Sequence, residues 1–159
     1  MEKIFLYSGE EEFLKQEEIE KLRNSYGGKV IIYSFSPQDK EFSMEEILRL
    51  TKTKNLFSSH QIILINDFEK ISPKDRVPLI SYVRNPSAFT TLILTTKMKI
   101  KKINDGNEWL EILLKEPNLK IKEFSPLSDE ELKKWIIMQA DKYGKKISSL
   151  AVNFLIAKL

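Results

Sequence analysis

The stretch Gln61-Ile62-Ile63-Leu64-Ile65, closed by Asn66-Asp67, constrains the fold more than any other. It is too short for a helix of ordinary length and rich in β-branched residues. It therefore reads as a strand buried on both faces, the kind found in parallel sheets covered by helices. Just before it, Leu56-Phe57 stand between Lys54-Asn55 and Ser58-Ser59. Two large apolar residues in such a setting are either a plug in the core or an exposed anchor inside a polar rim. The pattern leaves both readings open.

The rest of the chain repeats the alternation. Ile4-Phe5-Leu6-Tyr7 reads as a buried strand ended by Ser8-Gly9. Ser8 and Glu11 have capping-box spacing, which predicts a helix start there; Phe13, Leu14, Ile19, Leu22 and Tyr26 form its apolar face and Gly27-Gly28 its stop. Val30 to Phe35 reads as a second strand, closed by Pro37. Ser43 and Glu46 repeat the capping spacing and open a helix to about Thr51. After the run at 61–65, Ser72-Pro73 opens a helix that Pro78 should kink or split. Thr90 to Thr95 is a fourth strand, Lys97 to Asn107 a basic loop, and Trp109 to Leu114 a helix stopped by Pro117. Lys120 to Phe124 alternates apolar with charged residues, as suits an edge strand. Strands alternating with helices predict βαβ units and a mostly parallel five-stranded sheet.

Ser125-Pro126 marks a shift to helix. Ser128 and Glu131 form a third capping pair, followed by an apolar face of Leu132, Trp135, Ile136, Ala140 and Tyr143, with Gly144 as the stop. At helical spacing, Trp135 reads as core. Ser148 caps a last helix bearing Ala151, Val152, Leu155 and Leu159. With no stop signal after it, the chain reads as a fragment truncated within a helix.

At 159 residues the chain suits one domain, or one with a small appendage. With 42% hydrophobic and 31% charged residues it can bury a core, and a net charge of +3 is no strong electrostatic signature of nucleic-acid binding. It has no Cys, hence no disulfide framework or thiolate chemistry, and the expected compartment is cytoplasmic. No signal peptide or membrane span is legible.

A strand–Gly–helix start invites a search for a phosphate loop. Gly9 and Lys15 fit G-x-x-x-x-G-K-[ST], but Leu14 stands at the second Gly and Gln16 at the hydroxyl position. The loop needs that Gly to wrap N–H groups around phosphates, and the hydroxyl to hold Mg²⁺. Glu10, Glu11 and Glu12 crowd the helix start and repel an anion. Asp67, with Glu69 two residues on, reads as a solvated strand end rather than a Mg²⁺ ligand. His60, the single His, has no partners for a metal site or a catalytic triad. Lys97, Lys99, Lys101 and Lys102 could meet phosphate, though a solvated loop is the plainer reading.

Several stretches together resemble the bacterial DNA polymerase III delta-subunit family. Ile4-Phe5-Leu6-Tyr7-Ser8-Gly9-Glu10-Glu11-Glu12-Phe13-Leu14 is similar to its opening, and Asn55-Leu56-Phe57-Ser58 before an apolar strand to its Leu-Phe segment. Ser125-Pro126-Leu127, Glu131-Leu132-Lys133-Lys134-Trp135-Ile136, Gly144, Ile147-Ser148 and Ala151 are similar to its lid helices. The resemblance runs from residue 3 to about 159 and rests on the ordered set. It implies an AAA+-like P-loop NTPase fold with a degenerate phosphate loop over 1–124, the start of a truncated helical lid over 125–159, and a C-terminal collar domain absent here.

The function it implies is that of a clamp-loader component that binds the sliding clamp and helps it open during DNA replication. No catalysis, ATP hydrolysis, cofactor or metal is expected of the chain. A helix carrying Leu56 and Phe57 would enter a pocket on the clamp, with Lys54, Asn55 and Ser58 as flanking contacts. The implied partners are the sliding clamp (beta subunit) and, through the collar, the other loader subunits; DNA contact would be indirect or weak, and no membrane is involved. Two alternatives are an active P-loop ATPase and a nucleic-acid-binding module using the Lys97–Lys102 loop.

Overall fold

The computed structural model describes residues 2–103 and 106–158. The elements run β1 (Ile4–Ser8), α1 (Glu12–Ser25), β2 (Val30–Phe35), α2 (Met44–Thr51), β3 (His60–Ile65), a 3-10 turn (Phe68–Lys70), α3 (Pro73–Arg84), β4 (Thr90–Thr96), α4 (Ile100–Ile103), α5 (Glu108–Leu114), β5 (Leu119–Glu123), α6 (Asp129–Lys142) and α7 (Ser149–Lys158). The strands form one sheet in the order β2-β3-β4-β1-β5, and every pairing is parallel. Parallel neighbours need crossovers, and the helices supply them. Crossover direction reverses at the β1–β4 pair, and the carboxyl ends of the strands at such a point are where sheets of this kind take ligands.

Alternation along the strands divides the core in two. Ile4, Leu6, Ile63, Ile65, Leu92 and Leu94 face one side and pack with Ile47, Leu79, Val83, Leu110 and Leu113 from α2, α3 and α5. Phe5, Tyr7, Ile62, Leu64 and Ile93 face the other and pack with Ile19 of α1. β3 is buried along its whole length, as its β-branched run requires. β5 stands at the sheet edge, and its alternating Lys120, Lys122 and Glu123 suit that place.

Three local expectations change. Ser8 does not cap α1: the helix starts at Glu12, after Gly9 at φ +109, and its N-cap Glu11 makes no side-chain capping bond. The chain must turn sharply out of β1 before it can wind. Pro78 does not split α3, which runs unbroken from Pro73 to Arg84. Pro78 and Lys74 are both exposed, so water can serve the carbonyl that loses its helical donor. The basic stretch from Lys97 contains α4, where Ile100 packs against the core and Ile103 is buried within it. Residues 104 and 105 of that stretch, like Leu159, lie outside the described residues.

The chain divides into two compact units, Met1–Phe124 and Ser125–Leu159. In the second, Ser128 Oγ accepts from the Glu131 N–H (3.2 Å) and Glu131 Oε2 accepts from the Ser128 N–H (3.3 Å), a complete capping box opening α6. Ser148 Oγ accepts from the Ala151 N–H (3.2 Å) at the start of α7. Tyr143, expected on the apolar face of α6, is exposed at its C-cap. Among the described residues no helix is long and apolar enough to cross a membrane.

Candidate functional site

Two places could carry function: the carboxyl ends of β1 and β4, and the segment between α2 and β3 at the opposite, amino end of the strands.

At the carboxyl ends of β1 and β4 the chain packs on itself. The Gly9 N–H donates to the carbonyls of Thr96 (3.1 Å) and Met98 (3.2 Å), and the Glu11 N–H to that of Phe124 (3.4 Å). A Cβ on Gly9 would lie 2.2 Å from the Phe124 carbonyl oxygen, so only glycine fits. Lys15, 2% exposed, donates from Nζ to the Thr96 carbonyl (2.8 Å) and to Glu12 Oε1 (3.1 Å). The Gly9 and Glu11 amides and the Lys15 ammonium are thus held on protein oxygens. Asp67 ends β3 in the left-handed region at φ +51 and leads into the 3-10 turn. Among the described residues, no group of three or more His, Cys, Asp or Glu could hold a metal ion. Lys97, Lys99, Lys101 and Lys102, just after the carboxyl end of β4, are all exposed.

At the amino end of the strands α2 stops at Thr51, and Thr53 closes its end: the Thr53 N–H donates to the Leu50 carbonyl (3.1 Å) and its hydroxyl to that of Arg49 (2.9 Å). The chain then leaves the sheet for residues 54–59. Leu56 and Phe57 form a turn, not the helix implied for them. The turn is held locally: the Phe57 N–H donates to Asn55 Oδ1 (2.7 Å), an Asx turn. Leu56 is 95% and Phe57 77% exposed, which settles their place: both side chains project from the surface. Lys54 is exposed; Asn55 and Ser58 are half-buried beside them. The return to the sheet is fastened by Ser59, whose N–H donates to the Lys29 carbonyl (3.0 Å) and whose hydroxyl reaches those of Gly27 and Lys29 (3.3 Å each). Gly28, at φ +66, lets the chain pass close to Ser59, whose hydroxyl oxygen lies 3.0 Å from where a Cβ would be.

His60 follows directly and is 7% exposed. Its Nε2 bonds Thr91 Oγ1 (2.8 Å), and its ring stacks on Tyr26 with centroids 3.8 Å apart. Burial, helped by the charge of Lys3, pushes its pKa down to about 4, so it is neutral at neutral pH. On the other face of the sheet, Gln61 and Thr90 reach the last carbonyls of α2. Neither of those two residues stood out in the sequence; a Gln opening an apolar strand was the only signal available.

Order and crossover of the strands define an AAA+-like α/β fold of the P-loop class, with a degenerate phosphate loop and a helical segment after it. The chain matches the family described as DNA polymerase III, delta subunit, over residues 5–124, and it belongs to that family. Among solved structures, a Bacillus subtilis DNA clamp loader delta protein matches with a TM-score of 0.66 at 16% identity, over 96% of this chain and 47% of that one. The RuvB Holliday junction branch migration motor of Thermotoga maritima matches with a TM-score of 0.61 at 14% identity, over 94% of this chain and 47% of that one. A DNA polymerase III gamma subunit-related protein of the same organism gives 0.55 at 11%, over 86% and 45%. These likenesses are of fold, and the chain spans about half the length of the first two. No curated protein sequence matches it.

Proposed function

We propose that this chain acts in a clamp loader of the replicative polymerase, binding the ring-shaped sliding clamp and helping it open, without hydrolysing ATP. The observation that carries the reading is the Leu56-Phe57 turn, an apolar pair pushed into solvent and fixed by Asn55 and Ser59 in a member of the delta-subunit family. A free protein gains nothing by exposing such a pair, whereas an interface gains most from anchors that fill a partner's pocket. Leu56 and Phe57 are the anchors; Lys54, Asn55 and Ser58 line the rim. Opening follows from differential affinity: a surface that fits the open ring better than the closed one shifts that equilibrium without chemistry. Lys15, held by Thr96 and Glu12, supports a role with neither nucleotide nor metal.

In this reading residues 1–124 are the clamp-binding domain and 125–159 the start of the lid; other loader subunits are partners of the whole assembly in the cytoplasm. The Lys97–Lys102 stretch is open to weak DNA contact, following the carboxyl end of β4 whereas the anchors precede the amino end of β3. Calorimetric titration of the chain with the sliding clamp of its own organism tests the proposal. Saturable binding with a negative heat-capacity change is expected, since apolar surface is buried. No binding at concentrations well above micromolar would end it.

A further inference from the structure

We infer that Gln61 and Thr90 are positioning residues for the Leu56-Phe57 turn: they fix the end of α2 from which the turn departs. The inference deepens the clamp-binding reading, and its binding arm rests on that reading. Gln61 and Thr90 are register partners at the first paired position of β3 and β4. Gln61 is 2% exposed, Thr90 and Thr51 are wholly buried. The two N–H groups of the Gln61 amide go to the Leu50 carbonyl (2.7 Å) and to Thr90 Oγ1 (2.8 Å); the Thr90 hydroxyl donates onward to the Thr51 carbonyl (2.7 Å). Leu50 and Thr51 are the last two residues of α2, whose carbonyls have no complete set of helical donors.

This network is costly where it stands. The sheet core on this face is otherwise mainly apolar, aliphatic with Phe68 and Tyr82, and among the described residues Gln61 Oε1 is buried without a hydrogen-bond partner. An apolar pair of similar size would remove that unpaired oxygen but would take their donors from the Leu50 and Thr51 carbonyls. What the polar pair does, and an apolar pair cannot, is bind the carbonyls that decide where the helix stops. The Leu50 carbonyl also receives the Thr53 N–H (3.1 Å), so the same atom fixes the strand below and the chain leaving above. Ser59 fastens the far end. With both ends tied, the anchors are ordered before the partner arrives, and association need not supply that ordering.

Thr90→Val removes the hydroxyl and keeps the shape; Thr90→Ser restores the hydroxyl. Hydrogen exchange of the free chain and affinity for the sliding clamp are measured for both. Thr90→Val should speed exchange at Thr53 and Phe57 while leaving interior amides of β3 and β4 unchanged. If it leaves the turn competent about one-tenth of the time, clamp affinity falls about tenfold in proportion. Thr90→Ser should behave as wild type in both assays. Unchanged exchange at 53–57, or faster exchange spread evenly over the sheet, would overturn the inference, as would a loosened turn with full affinity. Should Thr90→Val fail to fold, Gln61→Met is read by the same criteria. If the wild-type chain does not bind the clamp, the clamp-binding reading falls alone, and exchange in the free chain still decides whether the pair orders the turn.

Discussion

Replacing Leu56 and Phe57 together by Ala separates surface from core with one variant. Both side chains are almost fully in water in the free chain, at 95% and 77% exposed. Truncating them removes little that holds the fold, and such surface changes usually stay within about 0.5 kcal/mol each. In a complex, burying a Leu or Phe side chain contributes about 1.5–3 kcal/mol, so losing both costs about 3–6 kcal/mol. That is about two to four powers of ten in affinity. Were the pair core, the same change would cost about 5–10 kcal/mol of stability, comparable with the whole stability of a domain. The assays are a thermal melt and a clamp titration on the same preparation. The expected result is a midpoint within a few degrees of wild type with clamp binding lost. An unfolded or insoluble variant, or a folded one that binds normally, would refute the reasoning.

Two further outcomes are expected. Titration with Mg²⁺-ATP at micromolar concentration should give no binding heat, because Lys15 and the Gly9 amide already hold protein carbonyls; a saturable isotherm would overturn that. Stability should fall as pH drops from about 6.5 towards about 4, since His60 is neutral when folded and protonates more readily when unfolded; above that window its contribution is complete. A shift of that size corresponds to about 3 kcal/mol at most, and His60→Gln should flatten the acid limb of a denaturation-versus-pH series if His60 is its source.

Elements whose signal is local were legible in the sequence. β3 declares itself because every residue is buried, and a continuous apolar run has no other economical place. Ser128 and Glu131 form the capping box that their spacing predicts. Ser8 and Glu11 have the same spacing but form none, since Gly9 must pass against Phe124 before α1 begins. Lysines masked α4, whose signal is only Ile100 and Ile103 one turn apart. Exposure of Leu56 and Phe57 was not legible, because apolar character says what a side chain prefers and not where the backbone sends it. That direction comes from Asn55 and from Ser59's bonds to residues some thirty positions earlier.

A crystal structure of the chain bound to its sliding clamp tests the central claim most directly. The account predicts Leu56 and Phe57 buried in an apolar pocket of the clamp, with Lys54, Asn55 and Ser58 at the rim and the Asn55–Phe57 turn kept as in the free chain. A complex in which another surface engages the clamp while Leu56 and Phe57 stay in solvent would contradict it.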